Sequence, residues 1–544
     1  MAERHIYQGG TLRRYSFVMG LLVFLSTMLA NHLDALAAAG PKPGGVLTVG
    51  VELEFRGFDP LKAGYLQFGD RSVISAIEER LFDTDEKGKP VPELALSATP
   101  SPDGSSWTIE LRQGISFHDG IPFNSDAVVE HWQRMLAPKN HFSGASYIEP
   151  VQSVTKIGDY TIRFNLKHPW AAFMAMLSST QWTGAYIPSP KAVRENTQNH
   201  APVGTGPFLF KQWLVNDRLV VIKNPNYWRK EKPYLDSVVF RPVPDVQTRF
   251  SGLLSGVTDL ILTDRGPDIL QARKDRSLKV YNSDASGPYA FIINTTAPPL
   301  DDIRVRRALA HAWNQDFYLK AVNNGILPVV KEPFGGLLTC GECGYRDYDP
   351  TLAKKLLAEY GKPVSLELLG SDTPSGRESG EVMQRLFKEI GVTLKFTPQA
   401  EGQLLKRVMS GDYQISGWRL MDLSDMGPYL NVCLHSKGKF NFSHYRNPRM
   451  DELLNTQQMD TDSKARQTAL CGVANLINED VIYLYGGGRR FYVIAKAGIQ
   501  GITRIDQGSI RLAEAWVGGD GQEPQKPQKK KLTEKTQKTQ KTRR

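Results

Sequence analysis

The stretch from residue 91 to residue 136 constrains the fold more than any other, because turn signals alternate there with strongly patterned segments. Residues 101–104, Ser-Pro-Asp-Gly, have the composition of a tight turn. Apolar and polar residues alternate over 107–111, which predicts a half-exposed strand. Asn124 then precedes apolar residues at helical spacing, which predicts a capped amphipathic helix. This order of strand, turns and helix is typical of a structural scaffold.

His118 and Asp119, in a turn of this stretch, are its one enzyme-like feature. A histidine beside a carboxylate can act as a general base with its orienting partner. No nucleophile lies near them in the sequence, so hydrogen bonding to nearby backbone is the favoured interpretation.

Length and charge limit the classes of protein to which this chain can belong. A chain of 544 residues with 41% hydrophobic content is too long for one core, so two or three lobes are expected. The net charge is +10, but the tail from Gly521 holds nine basic residues against two acidic ones. Residues 40–520 keep a net charge of only +2. We therefore expect no nucleic-acid partner, since that would require a basic surface on the folded part.

Both ends of the chain have features of segments outside the folded body. Arg13 and Arg14 precede a mostly apolar run at 17–30, and small residues at 35–39 offer a cleavage site. The run is short for a membrane span, so we predict an N-terminal signal peptide for export, with an uncleaved anchor as the alternative. The basic tail is predicted to be disordered, and it either solubilises the protein or contacts an anionic membrane surface.

The four cysteines, Cys340, Cys343, Cys433 and Cys471, leave several pairings open. No second Cys-x-x-Cys accompanies the 340–343 pair, which disfavours zinc. In an exported protein a local Cys340–Cys343 disulfide is the favoured interpretation. Pairing of Cys433 with Cys471 is also possible, and the sequence does not establish connectivity.

Other segments predict local structure. The glycine-rich segment 203–208 lacks the lysine of a phosphate loop and suits a tight crossover between lobes. A strand at 364–369, a helix from about 378 to 390 and a strand at 392–396 predict a β–α–β unit with parallel strands. The glycine run 486–488 is predicted to end a strand in a turn.

These segments together resemble the peptide/nickel-type extracellular solute-binding proteins, family 5, which are the substrate-binding components of ABC importers. The resemblance is carried by PELALS at 92–97, SPDGSSWTIELRQGISFHDGIPFNSDAV at 101–128, VGTGPF at 203–208, NPNYW at 224–228, PLDDIRVRRAL at 299–309 and RLAEAW at 511–516. It covers roughly residues 45–516, nearly all of the chain between the predicted signal peptide and the tail.

The resemblance implies a mixed α/β fold with two lobes, an additional subdomain and a ligand cleft between the lobes. The boundaries that we predict are a signal peptide at 1–39, lobe I at 40–90, 196–283 and 485–518, an extra subdomain of lobe I at 91–195, lobe II at 284–484, and the basic tail at 519–544.

The resemblance also implies where a ligand binds. It places Glu54 and Phe55 next to the ligand, although they are equally well explained as an ordinary strand end. In the segment after Trp418, Asp422 is the predicted partner of a ligand ammonium group, with Asp425 as the alternate. A carboxylate beside an indole ring is a sensible cation site. Further predicted contacts are Tyr289 and Trp182, the latter being either a ligand contact or a lid over the core.

We therefore predict a monomeric periplasmic receptor of an ABC transporter, with no catalytic residues, metal or cofactor. It captures a short peptide or other amine-bearing solute and delivers it to permease subunits in the inner membrane. Alternatives are a nickel-chelate or opine receptor, for which His435 and His444 are candidates, and a chaperone-like protein. A secreted hydrolase is disfavoured because neither Gly-x-Ser-x-Gly nor His-Glu-x-x-His occurs.

Overall fold

The computed structural model describes residues 40–63, 68–283, 286–335, 338–341, 343–420, 425–506 and 508–518. The predicted signal peptide and tail lie outside these ranges, and so does Asp422. None of the helices within the described ranges is both long and apolar enough to cross a membrane.

The strands and helices are numbered separately in chain order. The strands are β1 (Val46–Val51), β2 (Phe82–Thr84), β3 (Pro90–Pro92), β4 (Ala95–Pro100), β5 (Ser106–Leu111), β6 (Val151–Gly158), β7 (Thr161–Leu166), β8 (Phe208–Leu214), β9 (Arg218–Lys223), β10 (Ser237–Pro242), β11 (Leu260–Thr263), β12 (Leu278–Asn282), β13 (Ser286–Ile293), β14 (Ser365–Ser371), β15 (Thr393–Gln399), β16 (Ile415–Arg419), β17 (Tyr483–Arg489), β18 (Tyr492–Lys496), β19 (Ile499–Gln500), β20 (Ile505–Asp506), β21 (Ser509–Ile510) and β22 (Trp516–Val517). The helices are α1 (Pro60–Ala63), α2 (Phe68–Ile77), α3 (Ser125–Leu136), α4 (Phe173–Leu177), α5 (Pro190–Arg194), α6 (Val246–Ser255), α7 (Gly266–Ala272), α8 (Ile303–Ala312), α9 (Gln315–Asn323), α10 (Pro350–Tyr360), α11 (Pro374–Lys388), α12 (Glu401–Ser410), α13 (Gly427–Leu434), α14 (Pro448–Met459) and α15 (Ser463–Glu479).

The largest sheet has seven strands in the order β12-β18-β11-β1-β10-β9-β8. β1 lies at its centre and runs parallel to both neighbours, with Val49 opposite Phe240 and Leu260. Val49 and Val51 are fully buried, as expected for a central strand between parallel neighbours. The part built on this sheet, here called lobe I, is discontinuous because β1, β8 to β12 and β18 come from separate stretches of the chain.

The second sheet has five strands in the order β15-β14-β16-β13-β17, and the part built on it is here called lobe II. β14 and β15 are parallel and are joined by α11, which confirms the predicted β–α–β unit. The helix begins at Pro374, earlier than predicted, because the Thr373 side chain accepts a hydrogen bond from Gly376 N and caps the helix there.

The third sheet has four antiparallel strands, β4-β5-β7-β6, and with α3 it forms the part here called the subdomain. The Asn124 side chain accepts a hydrogen bond from Ala127 N at 3.2 Å, which confirms the predicted helix cap. Trp132 of α3 packs edge-on against Phe164 of β7, with ring centroids 4.8 Å apart. The apolar core beneath α3 continues into α13, α14 and α15 of lobe II, so the subdomain and lobe II share one core.

The glycine run at 486–488 is not the turn that the sequence predicted, because all three glycines lie inside β17. A Cβ on Gly487 would lie 2.6 Å from the Leu319 side chain, and one on Gly488 would lie 2.8 Å from that of Val330. The glycines therefore allow neighbouring segments to approach the strand closely, and the prediction of a chain reversal was wrong.

The predicted local disulfide is also wrong. Cys340 is bonded to Cys471 of α15, with their Cα atoms 5.2 Å apart, and Cys343 and Cys433 are buried free thiols. The loop around Cys343 lies on α15, where Asn478 Nδ2 donates to the carbonyl oxygens of Cys343 at 2.6 Å and Lys331 at 2.9 Å. The two bonded cysteines are 131 positions apart in the sequence, so their spacing did not indicate that they would pair.

We expect Cys471→Ser to lower the free energy of unfolding by about 3 to 5 kcal/mol, because the cross-link closes a long loop in the unfolded chain. Cys343→Ser is the matched control, since it alters the same site and leaves the cross-link intact. Chemical denaturation measures both variants, and peptide mapping without reductant identifies the bonded pair. A Cys340–Cys343 peptide in the wild-type map would contradict the assignment.

Candidate ligand-binding site

Acidic side chains follow two neighbouring strands at one edge of the lobe I sheet. β1 and β11 run parallel, with Gly50 opposite Ile261, so Glu52 and Asp264 come just beyond the carboxyl ends of the two strands. In open α/β sheets, ligands bind outside the carboxyl ends of the strands. This edge of lobe I is therefore the starting point for a binding site.

The electrostatic surroundings of Glu52 show that this edge faces lobe II. The pKa of Glu52 is raised to about 7, chiefly by burial and also by the nearby Asp264 carboxylate, against the opposing effects of Arg249, Arg419 and Arg489. Arg419 ends β16 and Arg489 ends β17, both in the lobe II sheet. Glu52 thus lies in the cleft between the two sheets, within the electrostatic influence of both.

Arg249 stabilises the lobe I side of the cleft. It is buried, and its guanidinium donates to the carbonyl oxygens of Leu262 at 2.9 Å and Val243 at 2.5 Å. These bonds tie the ends of β10 and β11 together directly beneath the segment that carries Glu52. This edge of the lobe I sheet is therefore stabilised by the buried Arg249 guanidinium, which donates these hydrogen bonds to backbone carbonyl oxygens.

Tyr289 is the centre of the lobe II side. The Arg419 guanidinium lies 5.6 Å from the centroid of its ring and the Arg489 guanidinium lies 5.7 Å from it. Tyr289 and Arg419 are direct partners on the antiparallel strands β13 and β16, so their side chains lie on the same face. Two cations on one half-buried aromatic ring can hold an anionic group and a flat apolar group side by side.

Trp418 lies on the opposite face of the same sheet from Tyr289. Its partner on β13 is Ala290, and side chains of adjacent residues in a strand point to opposite faces. The Trp418 ring is half-buried and meets Phe442 edge-on at 5.3 Å. The two predicted aromatic contacts therefore do not share one surface.

Glu54 and Phe55 are engaged inside lobe I. The Glu54 carboxylate accepts hydrogen bonds from Trp213 Nε1 at 2.9 Å and from the backbone N–H of Asn216, which ties it to the β8–β9 hairpin. Phe55 is buried and packs edge-on against Trp213 and Phe240. The structure thus places both at a strand end that is packed against its own lobe.

The other predicted contacts lie apart from Tyr289. Trp182 is buried in the subdomain core, with its ring 5.3 Å from that of Trp132. Asp425 accepts from Arg466 Nη2 at 2.7 Å and from Gly427 N at 2.9 Å, so it links the start of α13 to α15. Asp422 lies outside the described residues.

His118 and Asp119 are structural, which confirms the backbone-bonding interpretation. His118 Nε2 donates to Gly206 O at 3.0 Å, and burial lowers the pKa of the imidazole to about 4. Asp119 accepts from Ser189 Oγ at 2.5 Å. His118 therefore joins the subdomain to segment 203–208, and Asp119 binds Ser189 within the subdomain.

Histidines and acids do not gather into a metal centre in the part of the chain that the structure describes, where no group of three or more His, Cys, Asp or Glu side chains is placed to hold an ion. His435 accepts from Lys437 N at 3.1 Å and lies 3.7 Å from the Asp451 carboxylate. His444 is exposed in the loop that follows.

Sequence reasoning missed Glu52, Arg419 and Arg489. Two of them had a usable signal, because Glu52 directly follows the apolar run of β1 and Arg419 directly follows Trp418. Alternation along β16 would have placed Arg419 and Trp418 on opposite faces, so that only one of them could share the face of Tyr289. Arg489 had no such signal, because the glycine run before it was taken for a turn.

We expect the wild type to lose about 2 kcal/mol of stability between pH 5 and pH 8 relative to Glu52→Gln. Folding raises the pKa of Glu52, so its favourable contribution is complete below the usual glutamate pKa and is lost as the pH rises through about 7. Chemical denaturation across this range measures the difference. Glu86→Gln, an exposed carboxylate in the turn between β2 and β3, sets the baseline, and identical pH profiles for wild type and Glu52→Gln would contradict the raised pKa of Glu52.

Comparison with known proteins agrees with this architecture. The family model described as "Bacterial extracellular solute-binding proteins, family 5 Middle" matches residues 89–441. A probable di/tripeptide-binding protein 5 of Pseudomonas aeruginosa is 30% identical over 509 residues, covering 86% of this chain and 95% of that protein.

Two solved structures share the fold. The periplasmic binding protein DppA from Helicobacter pylori, in complex with the peptide STSA, superposes with a TM-score of 0.76 at 24% identity, covering 88% of this chain and 99% of that one. NikA from Brucella suis, in complex with Fe(III)-EDTA, has a TM-score of 0.78 at 21% identity, covering 87% of this chain and 100% of that one.

These matches confirm the predicted mixed α/β fold with two lobes. They also confirm a solute-binding receptor in place of an enzyme, because the family consists of binding proteins. The chain belongs to the bacterial extracellular solute-binding proteins, family 5.

Proposed function

We propose that this protein binds a short peptide or another amine-bearing solute in the cleft between its lobes. The observation that carries the proposal is the presence of acidic groups on one lobe and arginines on the other, close enough for Arg419 and Arg489 to lower the pKa of Glu52 against the effect of burial. Glu52 and Asp264 follow strands of lobe I, and Arg419 and Arg489 flank Tyr289 on lobe II. A zwitterionic solute with an apolar part matches such a cleft, because each charged end has an opposite charge to meet.

Asp422 remains our proposed partner for the ammonium group of the solute. It follows Arg419 by three residues, and Arg419 ends β16 at the cleft. We propose Tyr289 and the two arginines as the principal described contacts, with Trp418 supporting β16 from behind. The other predicted contacts hold their local segments in place, and these are Glu54, Phe55, Trp182 and Asp425.

Closure of the lobes would complete the site. The lobe I and lobe II sheets are joined where β12 leads into β13 and where β17 leads into β18, two neighbouring crossings that suit a hinge. At the rim, Arg56 Nη2 of lobe I lies 3.7 Å from Glu401 Oε2 of lobe II. This exposed pair contributes at most about 1 kcal/mol, so it does not hold the lobes closed by itself.

The cellular role follows from the family. We propose that residues 1–39 direct export to the periplasm and that the protein works there as a monomer without a nucleic-acid partner. The loaded receptor delivers its solute to permease subunits of an ABC transporter in the inner membrane. Support comes from the extracellular assignment of the family and from the near-neutral charge of residues 40–520.

Thermal unfolding against a panel of di- to pentapeptides, nickel chelates, opines and sugars tests the proposal. We expect peptides to raise the melting temperature, since a ligand at 100 times its Kd stabilises the folded state by about 2.7 kcal/mol. Tyr289→Ala and Asp422→Asn should each weaken binding by about tenfold or more, and N-acetylated peptides should bind more weakly than free ones. Glu195→Gln, an exposed change at the end of α5, is the control and should bind like wild type.

A rise in melting temperature with chelates, opines or sugars alone would contradict the peptide assignment and leave the receptor class intact. Full peptide binding by Tyr289→Ala would place the site elsewhere in the molecule.

A further inference from the structure

A second cavity lies in lobe II, at the end of the sheet remote from the cleft. Its volume is about 1010 Å³, and loops 295–303 and 436–447 form most of its lining. Tyr289 lies near the start of β13, whereas Thr295 lies just beyond its end, six residues later. At about 3.3 Å per residue the cavity is roughly 20 Å from the ring that marks the cleft. It is therefore a separate place for a ligand.

Positive charge without a carboxylate partner surrounds this cavity. Arg307, Lys439 and Arg446 line it, and within the described ranges none of the three has an acidic group at ion-pair distance. Lys439 and Arg446 are exposed, as is the neighbouring His444. The nearest specific contact of Lys439 is the Phe440 ring, 5.9 Å away.

The acidic groups of the cavity do not balance these cations. The Asp480 carboxylate accepts from the Tyr445 hydroxyl and, at 3.4 Å, from Asn447 Nδ2. The remaining acid is Asp301 on the rim. A fourth cation, Arg306, donates its hydrogen bonds to backbone carbonyls, including Asp480 O at 2.8 Å. The lining thus has an excess of positive charge, which favours an anion.

One wall of the cavity is apolar. Met409 is 58% exposed, the second most exposed of the large apolar side chains in the described ranges. The half-buried Phe442 ring lies beside it in the lining and is held in place by Trp418 and Phe440, at centroid distances of 5.3 and 5.8 Å. Apolar surface beside unpaired cations is the composition of a small-molecule site, and the volume is at the upper end of the range for such sites.

We propose that this cavity is a second ligand site, which binds a small organic anion carrying a carboxylate or phosphate group next to an aromatic or aliphatic part. Lys439, Arg446 and Arg307 bind the charged group. Phe442 and Met409 contact the apolar part. The site is independent of the solute in the cleft.

Isothermal titration calorimetry on the mature protein with 2-naphthyl phosphate and 2-naphthoate tests the site, and comparing the two probes separates phosphate from carboxylate. We expect at least one probe to bind at one site with a micromolar Kd, and inorganic phosphate alone to bind at least tenfold more weakly. The double variant Lys439→Gln/Arg446→Gln should weaken binding at least tenfold. Lys437→Gln, an exposed lysine of the same loop outside the cavity, should change the Kd less than twofold. The double variant should keep the wild-type melting temperature, which shows that it is folded.

Several results would overturn the proposal. These are no binding of either naphthyl probe, equal weakening by Lys437→Gln, or loss of binding in Tyr289→Ala, which would place the probe in the cleft. Binding of a tetraglutamate peptide without either naphthyl probe would also overturn it, and would indicate an acidic protein partner instead.

Discussion

The structure depends on a buried carboxylate, that of Glu79, at the junction between lobe I and the subdomain. It accepts hydrogen bonds from Tyr227 Oη at 2.7 Å, Trp228 Nε1 at 2.7 Å and Thr205 Oγ1 at 2.9 Å. Next to it, a Cβ on Gly204 would lie 2.3 Å from the Ile77 carbonyl oxygen, so only glycine fits there. The 203–208 and 224–228 motifs thus converge on one crossing of the chain. An unsatisfied buried carboxylate would be strongly destabilising, which makes this junction an obligatory part of the fold.

The residues of this junction are separate from the charged groups at the cleft. The motifs that identify the family lie in the scaffold, whereas the charged groups at the cleft come from strand ends: Glu52 after β1, Arg419 at the end of β16 and Arg489 at the end of β17. A rigid scaffold with variable residues at its strand ends can accept different solutes without a change of fold. Family membership therefore identifies a receptor, and we propose that the strand ends determine its ligand.

Local signals in the sequence predicted the elements well and the site poorly. Asn124 and the β–α–β unit at 364–396 were predictable because caps and periodicity act over a few residues. The Cys340–Cys471 bond and the strand conformation of 486–488 were not, because both depend on segments that meet only after folding. Tyr289 and Trp418 were predicted as contacts of one site, but they lie on opposite faces of the lobe II sheet, because the face of a strand follows from register, which sequence alone leaves open.

Hydrogen exchange with and without a peptide that raises the melting temperature tests the central claim, that one solute contacts both sheets across the cleft. We expect simultaneous protection of amides at 50–54 in lobe I and at 287, 289–290 and 485–489 in lobe II, with no change in the 436–447 loop. Protection confined to one lobe, or to that loop, would contradict it.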